Sequence, residues 1–147
     1  MKTKTTWKEK MLFTAESNGN SVVMDDKAPI GSGQGLTPKE LLAIAVSGCS
    51  AMDIVSLMRK FKQPLEAFEV DANVSIKAGS MPKVFEKIEL TFSLKGNLEK
   101  SRVIEAVRLS QTQYCGVSAM IAKSVPISYR ILVNNEEIGS GEAAFAD

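Results

Sequence analysis

One long apolar segment, Thr37–Lys60, constrains the fold of this chain more than any other part of the sequence. It begins with helix-start signals: Thr37 can cap the first turn, Pro38 is tolerated at the first helical position, and Glu40 completes a capping box. Apolar side chains then lie on nearly every side of the predicted helix, which is typical of a buried helix. At a rise of ~1.5 Å per residue, the segment spans about 36 Å. Because Asp53 interrupts the apolar run, we expect a core helix rather than a membrane span.

The length, the net charge and the lack of histidine limit the classes of function that are possible for this chain. A chain of 147 residues is typical of a single domain. Its net charge of +1 gives no electrostatic reason to expect nucleic acid or an anionic membrane as a partner. The chain contains no histidine, which excludes Ser-His, Cys-His and His-metal chemistry within one chain. The first ten residues lack the apolar stretch of a signal peptide, so we expect a cytoplasmic protein with reduced thiols.

The remaining periodicity predicts six strands and a helical pair around the central helix. Strands alternate apolar and polar residues, whereas the helical segments follow a 3.6-residue period. The predicted parts are N-terminal strands in 1–24, a mobile loop in 25–36, the central helix in 37–60, a hairpin in 68–94, a helical pair in 98–124, and a C-terminal strand and tail in 127–147. In the hairpin, the side chains predicted to face inward are Phe68, Val70, Ala72, Val74 and Ile76. In the helical pair, they are Leu98, Val103, Ile104 and Val107. Within the tail, an edge strand around Ile138 and a loose segment are both compatible with the sequence.

These elements predict a single α+β domain in residues 1–147, with antiparallel sheets against the central helix. Strands with a single apolar face cover only one side of a helix that is apolar nearly all round, and the helical pair covers part of the other side. We therefore expect a homodimer in which a second copy completes the core.

The loop in 25–36 contains several glycines but does not have the spacing of a phosphate-binding motif. A P-loop would need a lysine next to a serine or threonine, and the dinucleotide fingerprint would need the third glycine one residue later. We therefore predict no nucleotide cofactor.

The chemistry depends on two cysteines, Cys49 and Cys115, each in a helical and otherwise apolar segment. Both can be packing residues, because free cysteine is often buried as a small hydrophobe. A reactive thiolate needs a nearby cation or helix N-terminus. Cys49 lies roughly 18 Å along its helix from Thr37, so it would need a cation from elsewhere, whereas Cys115 lies near the start of a short helix. Two thiols without a histidine would leave two ligand positions of a four-coordinate metal site empty, so we predict no bound metal.

Two segments carry a family resemblance. TPKELLAIAVSGCSAMD at 37–53 and QYCGVSAMIAKSVPISY at 113–129 resemble the OsmC/Ohr family of thiol-dependent hydroperoxide reductases, in particular its divergent YhfA-like branch. The resemblance covers essentially the whole chain. It implies an intertwined homodimer in which antiparallel sheets wrap around buried central helices.

By the same resemblance, Cys49 is the peroxidatic thiol and Cys115 the resolving thiol. Cys49 would form a sulfenic acid with an organic hydroperoxide, and Cys115 would condense with it to a disulfide. An external dithiol would then reduce that disulfide in oxidative stress defence. No cofactor or metal is implied.

The sequence departs from the family pattern in the residues that activate the thiolate. Characterised members have a glutamate ten residues before the first cysteine, paired with an arginine from the N-terminal strands. Here Lys39 occupies that position, and Glu40, displaced by one residue, is the candidate for the glutamate role. No arginine precedes Arg59, so a lysine from the first forty residues would have to supply the charge, and a lysine cannot form a bidentate fork.

Two hypotheses of different classes follow. One is a two-cysteine peroxidase for small apolar hydroperoxides. The other is a non-catalytic or redox-sensing dimer that binds an apolar ligand or partner. A third possibility is thiol transfer, in which Cys49 and Cys115 pair without a preference for peroxides.

Overall fold

The computed structural model describes residues 1–146, and its backbone divides into two compact units. The first unit is Met1–Leu42 and the second begins at Ala43. The helices and strands follow the predicted order, with a seventh strand at the C-terminal end. The mixed α+β class predicted from the sequence is confirmed.

The first unit contains a three-stranded antiparallel meander. Its strands are β1 (Lys4–Glu9), β2 (Leu12–Ser17) and β3 (Asn20–Met24), hydrogen-bonded in the order β1-β2-β3. Asn18 and Gly19 both have positive φ at the β2–β3 turn, as expected of this turn sequence. The predicted N-terminal strands are therefore confirmed.

The loop in 25–36 is organised around one buried carboxylate. Asp25 is only 3% exposed and accepts hydrogen bonds from its neighbours in the loop. The backbone N–H groups of Asp26, Ser32 and Gln34 lie 2.8, 3.0 and 3.0 Å from its carboxylate oxygens, and the Ser32 hydroxyl lies 2.7 Å away. Gly31 packs so closely that a Cβ there would overlap the Asp26 carbonyl and the Asp25 carboxylate. The loop thus has a defined conformation without helix or strand.

The central helix, α1, runs over Pro38–Lys60 as predicted. Its start is a capping box: the Glu40 carboxylate accepts the Thr37 N–H at 2.7 Å, and the Thr37 hydroxyl oxygen accepts the Glu40 N–H at 3.3 Å.

The second unit contains a four-stranded sheet in the order β4-β5-β6-β7. The strands are β4 (Ala67–Ile76), β5 (Phe85–Lys95), β6 (Ile127–Val133) and β7 (Glu136–Glu142). The hairpin prediction is confirmed by the antiparallel pairing of β4 with β5. The expectation of purely antiparallel pairing is wrong, because β5 and β6 are parallel. The helical segment between them supplies the crossover that a parallel pair requires.

The crossover consists of two helices joined by a π-helical turn. Helix α2 covers Lys100–Leu109, the π turn covers Ser110–Tyr114, and α3 covers Gly116–Ile121. The predicted break in the helical pair is therefore a change of helix type. Such π turns are rare and frequently lie at functional sites.

The core of the second unit lies where α1, α2 and the sheet meet. Its fully buried members share apolar character and come from each of these elements. They include Val46, Ile54, Met58, Ile88, Leu90, Phe92, Val103, Ala106, Val107 and Ile131.

Two residues predicted to face inward are exposed. Ile76 is 41% exposed, because the pairing register shifts between Ser75 and Ile76 and ends the alternation. Ile104 is 37% exposed, and Ala106 lies in the core instead. A bulge and a small rotation of the helical stripe are both hard to infer from periodicity alone.

Within one chain, α1 is buried on one face only. Val46 and Ile54 are fully buried, whereas Ile44 is 49% and Met52 78% exposed. The helix is long and apolar enough to cross a membrane, with a mean hydropathy of 1.9, but core helices of soluble proteins meet the same criteria. The exposed face is the part of the helix that the sequence analysis expects a second copy to cover, and that assembly stays a prediction.

Candidate redox site

Cys49 and Cys115, 66 positions apart in sequence, lie side by side in the second unit. The two sulfur atoms and a carboxylate oxygen of Asp53 all lie within 4.8 Å of one another. Both cysteines are free thiols, Cys49 partly exposed and Cys115 fully buried. The sequence predicted the two cysteines as the reactive pair but did not include Asp53 in the site.

Helical geometry explains why these three groups meet. Cys49 and Asp53 are four residues apart on α1 and therefore project from the same face. Cys115 ends the π turn, where its N–H donates to the Ser110 carbonyl at 2.9 Å, and it is the N-cap of α3. The wider π turn brings the Cys115 side chain to the α1 face that carries the other two groups.

Cys115 lies beside a hydrogen-bond donor. The backbone N–H of Ser118 and the hydroxyl of Ser50 each lie 3.4 Å from its sulfur. The single proton of the Ser50 hydroxyl is directed at the Val46 carbonyl, 2.9 Å away, so the Ser118 N–H is the donor that remains for the Cys115 sulfur. A donor of this kind stabilises a thiolate or a departing sulfur.

The surroundings of Cys49 disfavour its thiolate. Burial raises the pKa of this thiol most, and the adjacent Cys115 and Asp53 raise it further, while the Val117 N–H acts in the opposite direction. In the described part of the chain, none of the groups that shift this pKa is a cation. The lysine that the sequence analysis sought as a substitute for the family arginine is therefore not among these groups.

Among residues 1–146, Asp53 has one hydrogen-bond donor. Burial raises the pKa of its carboxyl, and the Ser110 hydroxyl, which donates to Oδ2 at 3.1 Å, partly lowers it. This carboxylate makes none of the ion pairs found among residues 1–146. It is thus a partly buried acid without a positive partner in that range.

A buried amide connects the two sides of the site. The Gln111 Nε2 donates to the Ser50 hydroxyl oxygen at 2.8 Å and to the Ser110 hydroxyl oxygen at 3.3 Å. Its Oε1 is buried and has no hydrogen-bond donor among the described residues. Sequence reasoning missed Ser50, Ser110 and Gln111, although polar residues within apolar helical runs were the available signal.

Glu40, the third predicted site residue, lies in the first unit, where its carboxylate belongs to the capping box with Thr37. The Thr37 N–H and hydroxyl lower the pKa of Glu40. Helix capping accounts for these contacts, and a catalytic role of Glu40 stays a prediction.

Comparison with known proteins agrees with this architecture. Residues 31–130 match the family described as OsmC-like protein. Protein YhfA of Escherichia coli K12 is 35% identical over 135 residues, covering 88% of this chain and 95% of YhfA. The structure of a hypothetical protein from Aquifex aeolicus VF5 superposes with a TM-score of 0.82 at 23% identity, covering 90% of this chain and 95% of that one.

An organic hydroperoxide resistance protein from Legionella pneumophila also shares the fold. It superposes with a TM-score of 0.62 at 17% identity, covering 89% of this chain and 93% of that one.

Proposed function

This chain belongs to the OsmC-like family, and from that premise we propose that it is a thiol-dependent peroxidase for small organic hydroperoxides. The observation that carries this proposal is the approach of the Cys49 and Cys115 sulfur atoms to within 4.8 Å. A disulfide needs an S–S distance of about 2.05 Å, so the two sulfur atoms would have to approach by up to about 2.8 Å.

The reaction uses each cysteine once. The Cys49 thiolate attacks the O–O bond of the hydroperoxide, giving a sulfenic acid on Cys49 and, after protonation, an alcohol. The Cys115 thiol then attacks the Cys49 sulfur, which forms the disulfide and releases water. An external dithiol reduces the disulfide and leaves as the oxidised reductant. Partly exposed Cys49 is the accessible sulfur, and the Ser118 N–H favours Cys115 as leaving group.

The raised pKa of Cys49 sets a limit on this activity. A thiol without a cationic neighbour is mostly protonated at neutral pH, so the first step is slower than with a paired arginine. We therefore expect turnover to increase as the pH approaches the Cys49 pKa from below.

A test of this function compares the two cysteines by dithiol-dependent consumption of cumene hydroperoxide. Cys49→Ser should abolish consumption above the rate of free dithiol. Cys115→Ser should form the sulfenic acid on Cys49 with a first peroxide, and further peroxide should oxidise it to sulfinic and sulfonic acid, which mass spectrometry detects. Unchanged turnover in Cys49→Ser would exclude the proposed reaction.

Glu40 can be tested separately from its capping role. Glu40→Gln keeps an oxygen for the Thr37 N–H and removes the negative charge. If Glu40 orients the thiolate, peroxide turnover should fall with little change in Tm. If turnover is unchanged, Glu40 acts only as a helix cap.

We also propose that the protein is a cytoplasmic homodimer. The support is the unpaired apolar face of α1, where Ile44 and Met52 are exposed, beside a groove lined by Ala51, Val55 and Phe68. Large exposed apolar faces are typical of interfaces. Sedimentation at micromolar concentration should give a dimer, and a monomer would contradict this assembly.

A second candidate function is binding of an apolar ligand without catalysis. Within the first unit, a largely apolar cavity of about 630 Å³ is lined by residues that include Met11, Phe13, Met24 and Pro38. This volume lies in the range of small-molecule sites. Absence of peroxidase activity, together with a small molecule retained through purification, would favour this candidate.

A further inference from the structure

We propose that Cys49, Cys115 and Asp53 bind Zn²⁺ when both thiols are reduced. The sequence disfavoured a metal because two thiols leave two ligand positions empty. The structure fills one of those positions with Asp53, which no cysteine or histidine motif would have identified.

The positions of the donor atoms fit a tetrahedral zinc ion. With Zn–S of about 2.3 Å and Zn–O of about 2.0–2.2 Å, ligand atoms around zinc lie roughly 3.5–3.8 Å apart. The three atoms here lie within 4.8 Å of one another, so a contraction of about 1 Å would complete the site. Cys49 and Asp53 share one helix and are held at a fixed spacing. Thiolate sulfur favours zinc over hard ions such as Mg²⁺ or Ca²⁺.

The hydrogen bonds around Asp53 support metal binding. The Ser110 hydroxyl holds Oδ2 at 3.1 Å and so fixes the orientation of the carboxylate without using Oδ1. Partners of this kind orient ligands in metal sites. No ion pair in residues 1–146 neutralises this carboxylate, and a bound cation would do so.

A buried amide, Gln111, contacts both hydroxyls beside the site. Gln111 is fully buried, and its Oε1 has no donor among the described residues, although its Nε2 contacts both Ser50 and Ser110. A buried carbonyl oxygen without a donor costs stability unless something satisfies it. The Gln111 Nε2 faces the Ser50 and Ser110 hydroxyls, so the fourth position of the zinc is assigned to water, as at an open zinc site.

Zinc binding and disulfide formation would exclude each other, because both use the same two sulfur atoms. Binding requires no peroxide, so the zinc site does not depend on the proposed peroxidase activity. If both hold, zinc would protect the reduced thiols, and oxidation to the disulfide would release the metal.

The test is a Zn²⁺ titration of the reduced full chain against a chromophoric chelator, in a phosphine reductant that does not bind the metal. We expect one ion per chain. Asp53→Ala and Cys115→Ser should each weaken binding by about tenfold or more. The matched control is Asp71→Asn, which changes an exposed carboxylate on β4 and should leave affinity unchanged.

A second readout keeps the test independent of folding defects in the variants. The wild-type protein, oxidised to its disulfide, should lose the metal and regain it on reduction. With Co²⁺ in place of zinc, the reduced protein should show the intense visible bands of a tetrahedral site and sulfur-to-metal charge transfer. Absence of binding would overturn the proposal. So would affinity equal to wild type in Asp53→Ala and Cys115→Ser, which would indicate an adventitious ion only.

Discussion

Two aspartates, one in each unit, show how similar side chains serve different purposes. Asp25 accepts hydrogen bonds from Gln34, Ser32 and Asp26, and these bonds lower its pKa to about 2. Asp53 has a single donor in the described part of the chain, and burial raises its pKa. A fully satisfied carboxylate stabilises a loop, whereas an incompletely satisfied one beside two thiols remains available for ligands or protons. The difference lies in the donors that surround each carboxylate.

Substitutions of the two aspartates should differ most in their effect on thermal stability. Asp25→Asn replaces one acceptor oxygen with a donor and removes the charge, so donors of the 25–36 loop lose partners and Tm should fall by several degrees. Asp53→Asn keeps an acceptor for Ser110 and removes a poorly solvated charge, so Tm should stay the same or rise. Thermal unfolding followed by circular dichroism measures both changes.

The same variants should differ in the pH dependence of unfolding. The folded pKa of Asp25, about 2, is below the ordinary value of 3.8, so its stabilisation is present above pH 3.8 and is lost as pH falls towards 2. Asp53 has a raised folded pKa, so it contributes the opposite slope: stability increases as pH falls through that pKa. Equal pH profiles for Asp25→Asn and wild type would contradict this assignment.

A smaller effect should appear in thiol reactivity. Asp53 raises the Cys49 pKa, so Asp53→Asn should lower it and increase the alkylation rate at neutral pH several-fold. Asp25→Asn is the matched control and should leave that rate unchanged. The measurement is alkylation of Cys49 against pH in a Cys115→Ser background, with a metal chelator present. A rate that does not respond to Asp53→Asn would show that Asp53 does not contribute to this pKa.

The sequence predicted the elements better than it predicted the site. Capping residues and periodicity placed α1 correctly, because Thr37, Pro38 and Glu40 act locally. The parallel pairing of β5 with β6 depends on a crossover, and the inward alternation at Ile76 ends at a register shift, so neither follows from local pattern. Both cysteines were identified from their rarity and from the family motif.

The polar residues beside Cys49 and Cys115 were not identified from the sequence. Ser50, Ser110 and Gln111 resemble ordinary helical residues until the π turn brings them together. Asp53 was visible in the sequence only as an interruption of an apolar run. Its proximity to both thiols depends on tertiary contacts between α1 and the segment that carries Cys115.

The smallest predicted effect concerns Gly48, next to Cys49 on α1. A Cβ at this position would meet no atom within 4 Å in the single chain. Gly48→Ala should therefore stabilise an isolated chain by about 0.5–1 kcal/mol through helix propensity. If a second copy packs on this face, the added methyl group would instead weaken the dimer. Denaturant unfolding at several protein concentrations distinguishes the two results.

The most direct measurement is the mass of the reduced chain after one equivalent of cumene hydroperoxide, with peptide mapping. Formation of a disulfide between Cys49 and Cys115 should remove two hydrogen atoms from each chain and yield a single cross-linked peptide pair. Stable oxygen addition to Cys49 in the wild type, with Cys115 left as a free thiol, would contradict the assignment of these cysteines as one redox pair.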